Sequence, residues 1–447
     1  MKKKGLLGTG ILVLSLTAML LSGCGDSAQT NNQMTAQNPV AAETKAPDQM
    51  TTTEADTPIE AATPEPTPTA TPTDASAFEY EVKDDGTIKI TWLIDVSLDT
   101  VVIPQQIDGK PVTEISPGVF QGCTSLTNVI IPDSVTGSPI FNECSSLVSA
   151  TIGNGVTKIG DRAFEGLSSL TSVTIGNGVT EIGSDAFRGC SSLTSVTIGN
   201  SVTKIGWRAF SDCSSLTNVT IPDSVTEIGG EAFYGCTSLT SVTIPDSVTG
   251  IGGEAFNNCI SLTSVTLPDN LMYIQGFLFR DCSGLTSITI PEGVKSIGSG
   301  AFFNCSNLTS LTLPDGVTEI GSSAFSGCSN LISVNIPGYV TIIENSTFKD
   351  CSSLTSINIP EGVTYIGKRA FEGCSSLTSV FLPDGVLKVE EYMFKDCISL
   401  TSIRIPDSVW KVEGGAFSGC SSLTTIETPA GSEAEKEAKR LGFSVQN

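Results

Sequence analysis

The amino-acid sequence predicts a mainly β repeat solenoid: a coil of 23-residue units with short parallel strands and 3-10 turns, capped at both ends. Three observations carry this. A phenylalanine returns at a fixed step, as Phe120, Phe141, Phe164, Phe187, Phe210, Phe233, Phe256, Phe279, Phe302, Phe325, Phe348, Phe371, Phe394 and Phe417, every interval being 23 residues except the first, which is 21. Around each phenylalanine the same apolar residues recur at the same offsets. No single unit could bury its apolar side alone, so units of this kind must stack on one another.

The amino end is a separate matter. Lys2, Lys3 and Lys4 precede the uncharged run Leu6 to Leu21. A basic start, a short apolar run and small residues at its end describe a secretory signal peptide, here residues 1–23. The run is short for a membrane span, which needs roughly 20 residues. Leu21-Ser22-Gly23-Cys24 resembles the lipobox of bacterial lipoproteins. That resemblance implies a diacylglycerol-type lipid on the sulfur of Cys24, with the chain held at the extracellular face of the bacterial cell membrane through this anchor alone. Residues 24–76 follow as a lipidated cysteine and a disordered tether, rich in Thr and Ala, with Pro58, Pro64, Pro66, Pro68 and Pro72 and no aromatic residue. Such a stretch cannot bury enough apolar surface to order itself, and as a flexible coil it would reach about 40 Å.

Residues 77–122 read as an amino-terminal cap and a first coil. Phe78 to Val82 and Thr87 to Trp92 flank Asp84-Asp85-Gly86, a hairpin signature. Residues 123–428 are the repeats. In the unit that begins at Cys213, Leu216, Val219 and Ile221 are apolar while Thr217, Asn218 and Thr220 are polar, the alternation of a half-buried strand. Pro222 ends that strand, because it offers the ladder no donor, and Asp223-Ser224 favour a turn. Val225 and Ile228 bring the chain back inward along a second extended piece. Ala232-Phe233 suits one helical or 3-10 turn that drops the ring into the core. Fifteen strand rungs, from Leu98–Ile103 to Leu423–Ile426, are separated by 14 steps and would extend about 67 Å at roughly 4.8 Å a step. Residues 429–447 form the other cap: Ser432 and Glu435 make a capping box for a helix from Glu433 to Leu441 that stops at Gly442.

The Leu-x-x-Val-x-Ile core at this period is the signature of leucine-rich repeats. With the Ile-Gly-x-x-Ala-Phe segment and the Cys after it, residues 77–447 resemble the BspA-like, or treponemal-type, leucine-rich repeats. The departures are local. Leu167 stands for Cys, Leu278, Thr347 and Met393 for Ala, and Gln275, Glu344, Glu390 and Glu413 for Gly. The resemblance implies surface exposure and binding to proteins or host cells.

Charge narrows the partners. The chain holds 24 basic and 47 acidic residues and no histidine; without the three lysines of the signal the balance is −26. Such a surface is repelled by phosphate backbones, so nucleic acid is excluded as a partner. Thirteen cysteines besides Cys24 invite disulfide or metal readings. There is one per coil, however, never a zinc-type pair. Neighbours about 4.8 Å apart with parallel Cα–Cβ vectors do not converge to the roughly 3.8 Å a disulfide needs, so buried free thiols are expected. The acids after the strand proline, Asp133, Asp223, Asp246, Asp269, Glu292, Asp315, Glu361, Asp384 and Asp407, could line up for calcium. Asp after Pro is also ordinary turn chemistry, and no metal or other cofactor is expected. Ser201-Val-Thr-Lys204 mimics a Ser-x-x-Lys enzyme motif, but Ser201 is only a turn position of the repeat. The reading is therefore not an enzyme.

What remains is a cell-surface binding or adhesion lipoprotein that presents a rigid platform to a protein ligand, such as a host matrix or cell-surface protein. A carbohydrate- or peptide-capturing lipoprotein and a purely structural envelope protein are the alternatives. The candidate ligand residues are those that break the repeat. The outward strand slot is Thr in eight consecutive coils, Thr151 to Thr312, and then becomes Asn335, Asn358, Phe381 and Arg404. The outward slot of the return segment becomes Tyr273, Tyr365, Lys388 and Lys411, with Trp410 beside it. Folding does not ask for aromatics or cations there, and these types are enriched at binding hot spots. The expectation is one site on the strand face, over residues 270–412.

Overall fold

The computed structural model describes residues 70–446, all within one compact unit, Pro68–Asn447. The signal peptide, Cys24 and the tether up to residue 69 lie outside the described residues. The unit is a β-solenoid of about 16 turns.

Successive coils are joined by three ladders. In the first, the strand Ser172–Ile175 lies parallel between Ser149–Ile152 and Ser195–Thr197, with Val173 opposite both Ala150 and Val196. Side chains in register alternate inward and outward, so Val173 and Ile175 are buried and Thr174 is exposed. In the second, the return segment Glu181–Ile182 pairs with Lys158–Ile159 and Lys204–Ile205. Its outward residues alternate in sign and meet across coils, Lys158 with Glu181 at 3.2 Å and Lys204 with Glu227 at 3.1 Å. Thr hydroxyls beside them donate to the carbonyl one coil back, as from Thr203 to Thr180 and Thr364 to Thr341.

The third ladder runs through the Ala-Phe segments. The amide of each framework Phe, from Phe141 to Phe394, donates to the carbonyl of the residue before the next coil's Phe, with no interruption. Within a segment the bonds have the i to i+3 spacing of a 3-10 turn, such as Tyr234 N to Glu231 O and Cys236 N to Phe233 O. The segment does not continue as a helix, because left-handed residues flank it: Glu231 has φ 55° and Gly235 φ 68°. Those two kinks point the backbone N–H and C=O groups along the solenoid axis, toward the neighbouring coils.

The core is a set of columns. Fourteen framework rings stack in sequence with centroids 4.8 to 5.9 Å apart, and Phe443 closes the column edge-on against Phe417. Each buried ring contributes about 1.5–3 kcal/mol. The 13 repeat cysteines are free and buried. From Cys190 onward each Sγ–H donates to the Phe carbonyl of an earlier coil, as in Cys213 to Phe187 at 3.2 Å and Cys397 to Phe371 at 3.1 Å. Burial pushes the Cys144, Cys190 and Cys328 thiols up to about 12.

The glycine after the return Ile is a steric requirement. Gly229 donates its N–H to Ile205 O, and a Cβ on it would stand 2.7 Å from the Gly206 carbonyl carbon and from Trp207 N. Where a side chain replaces this glycine, at Gln275, Glu344 and Glu390, the return ladder stops, leaving separate sheets on either side. Only at Glu413 is the bond kept, to Val389 O at 2.8 Å.

The caps follow the expected plan with additions. Phe78–Val82 and Ile88–Leu93 form the antiparallel hairpin. The folded cap also takes in Thr73, within the segment expected to be tether. Thr73 N donates to Val102 O, and Val102 N donates to Thr73 Oγ1, which covers the first edge of the strand ladder. The helix Glu433–Arg440 starts with Glu435 N donating to Ser432 Oγ, while the Glu435 carboxylate accepts from Gly431 N. Beyond Gly442 an unanticipated strand, Ser444–Gln446, adds a last parallel rung to Thr425–Glu427.

Candidate functional site

The nine residues singled out in the sequence do not form one site. Asn335, Asn358, Phe381 and Arg404 point outward from the strand ladder. Tyr273, Tyr365, Lys388, Trp410 and Lys411 point outward from the return ladder, beyond the proline turn. The expectation of a single strand-face site is therefore corrected to two separate faces.

On the strand face the ladder opens at three places, each three coils from the next. The main chain of Val219–Ile221, of Ile288–Ile290 and of Ile357–Ile359 carries no hydrogen bond to a neighbouring coil among the described residues. At the last of these a cleft of about 290 Å³ separates the coil of Asn358 from that of Phe381. It is lined by Asn358, Glu361, Phe381, Asp384 and Arg404 over a floor of Ile357, Ile359 and Leu382. Phe381 is 62 % exposed. Among the described residues, Asn358, Glu361, Asp384 and Arg404 have no hydrogen-bond or ion-pair partner for their side chains. Asn335 is different. Its Oδ1 accepts from Leu313 N and its Nδ2 donates to Leu313 O, both at 2.8 Å. The amide replaces a missing rung, so Asn335 serves the fold.

On the return face Lys388 and Lys411 are occupied. Lys388 reaches Glu413 at 2.7 Å and Glu390 at 3.1 Å, and Lys411 reaches Glu413 at 2.9 Å. These two lysines hold the Glu413 carboxyl down at about 2. Beside the pairs runs an apolar strip on consecutive coils: Tyr339 (72 % exposed), Ile342, Tyr365, Leu387 and Trp410 (61 % exposed). Tyr273 is exposed three coils away and does not join it. Tyr339, Ile342 and Leu387 escaped the sequence reading, yet each breaks the repeat: an aromatic for a turn Ser or Gly, an Ile for a charged residue, and a Leu for a Thr.

The turn acids do not gather. Among the described residues no three His, Cys, Asp or Glu side chains come together as a metal would require. Asp133 and Asp246 accept backbone N–H groups of the next coil, from Asn154 and Asp269. Lys204 of the enzyme-like motif is paired to Glu227.

The family model described as the BspA type leucine-rich repeat region matches six copies, over residues 113–240, 226–355 and 341–438. The chain belongs to the BspA-type leucine-rich repeat family. Its fold is similar to that of a leucine-rich repeat protein from Bacteroides ovatus, with 32 % identity over 83 % of this chain and 98 % of that one and a TM-score of 0.72. A leucine rich cell surface protein from Faecalibacterium prausnitzii is 34 % identical over 84 % of this chain and 97 % of its own, with a TM-score of 0.49. The curated proteins contain no match. In the BspA-type framework the departures from the repeat that bond no neighbouring coil, among them Phe381, Arg404, Leu387 and Trp410, mark the two faces described above.

Proposed function

We propose that this BspA-type chain is a surface-anchored binding protein without catalytic activity: Cys24 carries the lipid, the Thr/Pro-rich segment is the tether, and the solenoid presents a protein-binding face. The supporting observation is the strip Tyr339, Ile342, Tyr365, Leu387 and Trp410. Earlier coils fill the same columns with Lys–Glu pairs and with Thr hydroxyls bonded to the preceding coil. Leu387 and Trp410 give up that hydroxyl bond and expose large apolar side chains. Exposed apolar patches of this sort mark contact surfaces, with Trp and Tyr the usual anchors. The partner this suits is a protein at the bacterial exterior, a host matrix or neighbouring-cell protein, in keeping with the cell-surface description of the F. prausnitzii relative.

The test is capture of immobilised extracellular-matrix and epithelial surface proteins by the full-length chain in detergent. The double variant Leu387→Thr, Trp410→Thr restores the residues of the regular coils, so it should fold as before and lose capture at least tenfold. Equal capture by variant and parent would remove the strip from the function.

A further inference from the structure

We infer that the strand-face cleft at Asn358, Phe381 and Arg404 is a saccharide site that takes a neutral pyranose ring. It lies on the other face from the strip above and does not depend on it.

The cleft comes with its own internal control. Six coils earlier the ladder opens in the same way, and a cavity of about 490 Å³ lies over Asn218, Val219, Thr220, Asp223, Thr243 and Pro245. By repeat position Thr220, Thr243 and Thr266 there correspond to Asn358, Phe381 and Arg404. The opening is thus a property of the coil, but only the later one is furnished with a ring, an amide and a guanidinium. In the paired coil just before the last opening, Asn335 closes onto the Leu313 main chain, which spends its amide on the fold. Asn358, one coil on, has no such partner.

The furnishing defines the ligand class. A pyranose has one face made largely of C–H groups, which packs on a flat aromatic ring, and an edge of adjacent hydroxyls that both donate and accept. Phe381 supplies an exposed ring at the mouth. Around it Asn358 can donate and accept, Glu361 and Asp384 accept, and Arg404 donates in a planar fork, a set that matches hydroxyl pairs. All four are unengaged, and the unpaired N–H and C=O groups of Ile357–Ile359 add main-chain donors and acceptors. Two carboxylates against one guanidinium disfavour uronic or sialic acids. At about 290 Å³ the cleft is at the small end of ligand pockets, roughly 300–1,000 Å³, which suits one or two rings and not a folded partner. An aromatic platform with a few convergent polar groups is the usual build of such a pocket.

The experiment applies the full-length chain in detergent to an array of neutral and anionic glycans, followed by titration calorimetry with the soluble oligosaccharide of any hit. A neutral glycan should bind, and Phe381→Thr and Arg404→Thr, each a return to the regular coil, should each weaken it at least tenfold. Leu387→Thr with Trp410→Thr should leave the affinity unchanged, which separates this site from the protein-binding face. Running the soluble sugar beside the same sugar on a cell-wall polymer or a glycoprotein shows which source the site reads, and binding to either form supports it. The inference is overturned if no neutral glycan binds, if only anionic glycans bind, or if both Thr variants bind as tightly as the parent.

Discussion

At Gly229 the return ladder leaves no room for a side chain, and the cost of inserting one can be worked from the structure. A Cβ there would meet the Gly206 carbonyl carbon and Trp207 N at 2.7 Å and Gly206 O at 2.8 Å. These are main-chain atoms, which cannot rotate aside, so Gly229→Ala must push two coils apart. Overpacking of this kind costs about 1–3 kcal/mol. The bond from Gly229 N to Ile205 O is stretched or lost, adding about 0.5–1.5 kcal/mol. The expected total is about 1.5–4.5 kcal/mol, concentrated at one rung. Coils of a solenoid contact only their neighbours and can open locally, so amide hydrogen exchange is the sharper assay, with a chemical-denaturation midpoint beside it. Amides of residues 227–229 should lose protection while those around Phe141 and Phe164 keep theirs. A matched change at an already open rung, Glu390→Gly, inserts nothing against the main chain; it removes the buried carboxylate that accepts from Lys388 and should leave protection at residues 227–229 as in the parent. Unchanged protection at residues 227–229 in Gly229→Ala would refute the steric account of where the ladder stops.

Three further outcomes follow from chemistry already described. The full-length chain should titrate 13 free thiols in denaturant and almost none when folded, because those cysteines are buried and burial raises their pKa; clearly fewer than 13 without a reductant would mean disulfides. Cys24→Ala should abolish radiolabelled lipid incorporation and processing, and a variant still labelled at the same position would remove the anchor. Glu413 sits near 2 in the folded chain against 4.5 for a free side chain. A depressed carboxylate adds stability above its unfolded value and loses it as pH falls toward 2. The Tm gap between parent and Glu413→Gln should therefore be open at pH 6 and shrink between pH 4.5 and 2; a constant gap would show that Lys388 and Lys411 do not stabilise the ionised form.

Much of the architecture was legible because a solenoid repeats its argument. Leu216, Val219, Ile221, Val225, Ile228 and Phe233 are all buried, as their spacing requires, and the Pro222 turn and both caps sit where their residue types place them. The third ladder was not legible. Its bonds depend on left-handed backbone at positions as varied as Arg208, Glu231 and Phe277, and no side chain announces that conformation. The openings of the strand ladder were equally hidden: Val219-Thr220-Ile221 is open and Val242-Thr243-Ile244 is paired, although the residues are the same types in the same order. The openings of the return ladder, by contrast, were written in the sequence as Gln275, Glu344 and Glu390, and only the close approach of backbone at glycine gives those substitutions their meaning.

A departure from a repeat therefore has two distinct physical meanings, and partner geometry separates them. Asn335 and Asn358 fill the same slot with the same side chain. One spans 2.8 Å bonds to Leu313 and repairs the ladder, while the other stands free above an open cleft. Lys388 and Arg404 are both cations beyond a run of regular coils. One neutralises acids that replaced glycines, and the other makes no ion pair among the described residues. Read by residue type alone, all four were equal candidates for ligand contact. A buried or bonded departure has its cost recovered inside the fold, so it needs no ligand to explain it. An exposed and unpartnered one recovers nothing there, and among the described residues such departures gather in the cleft around Phe381 and in the strip that ends at Trp410.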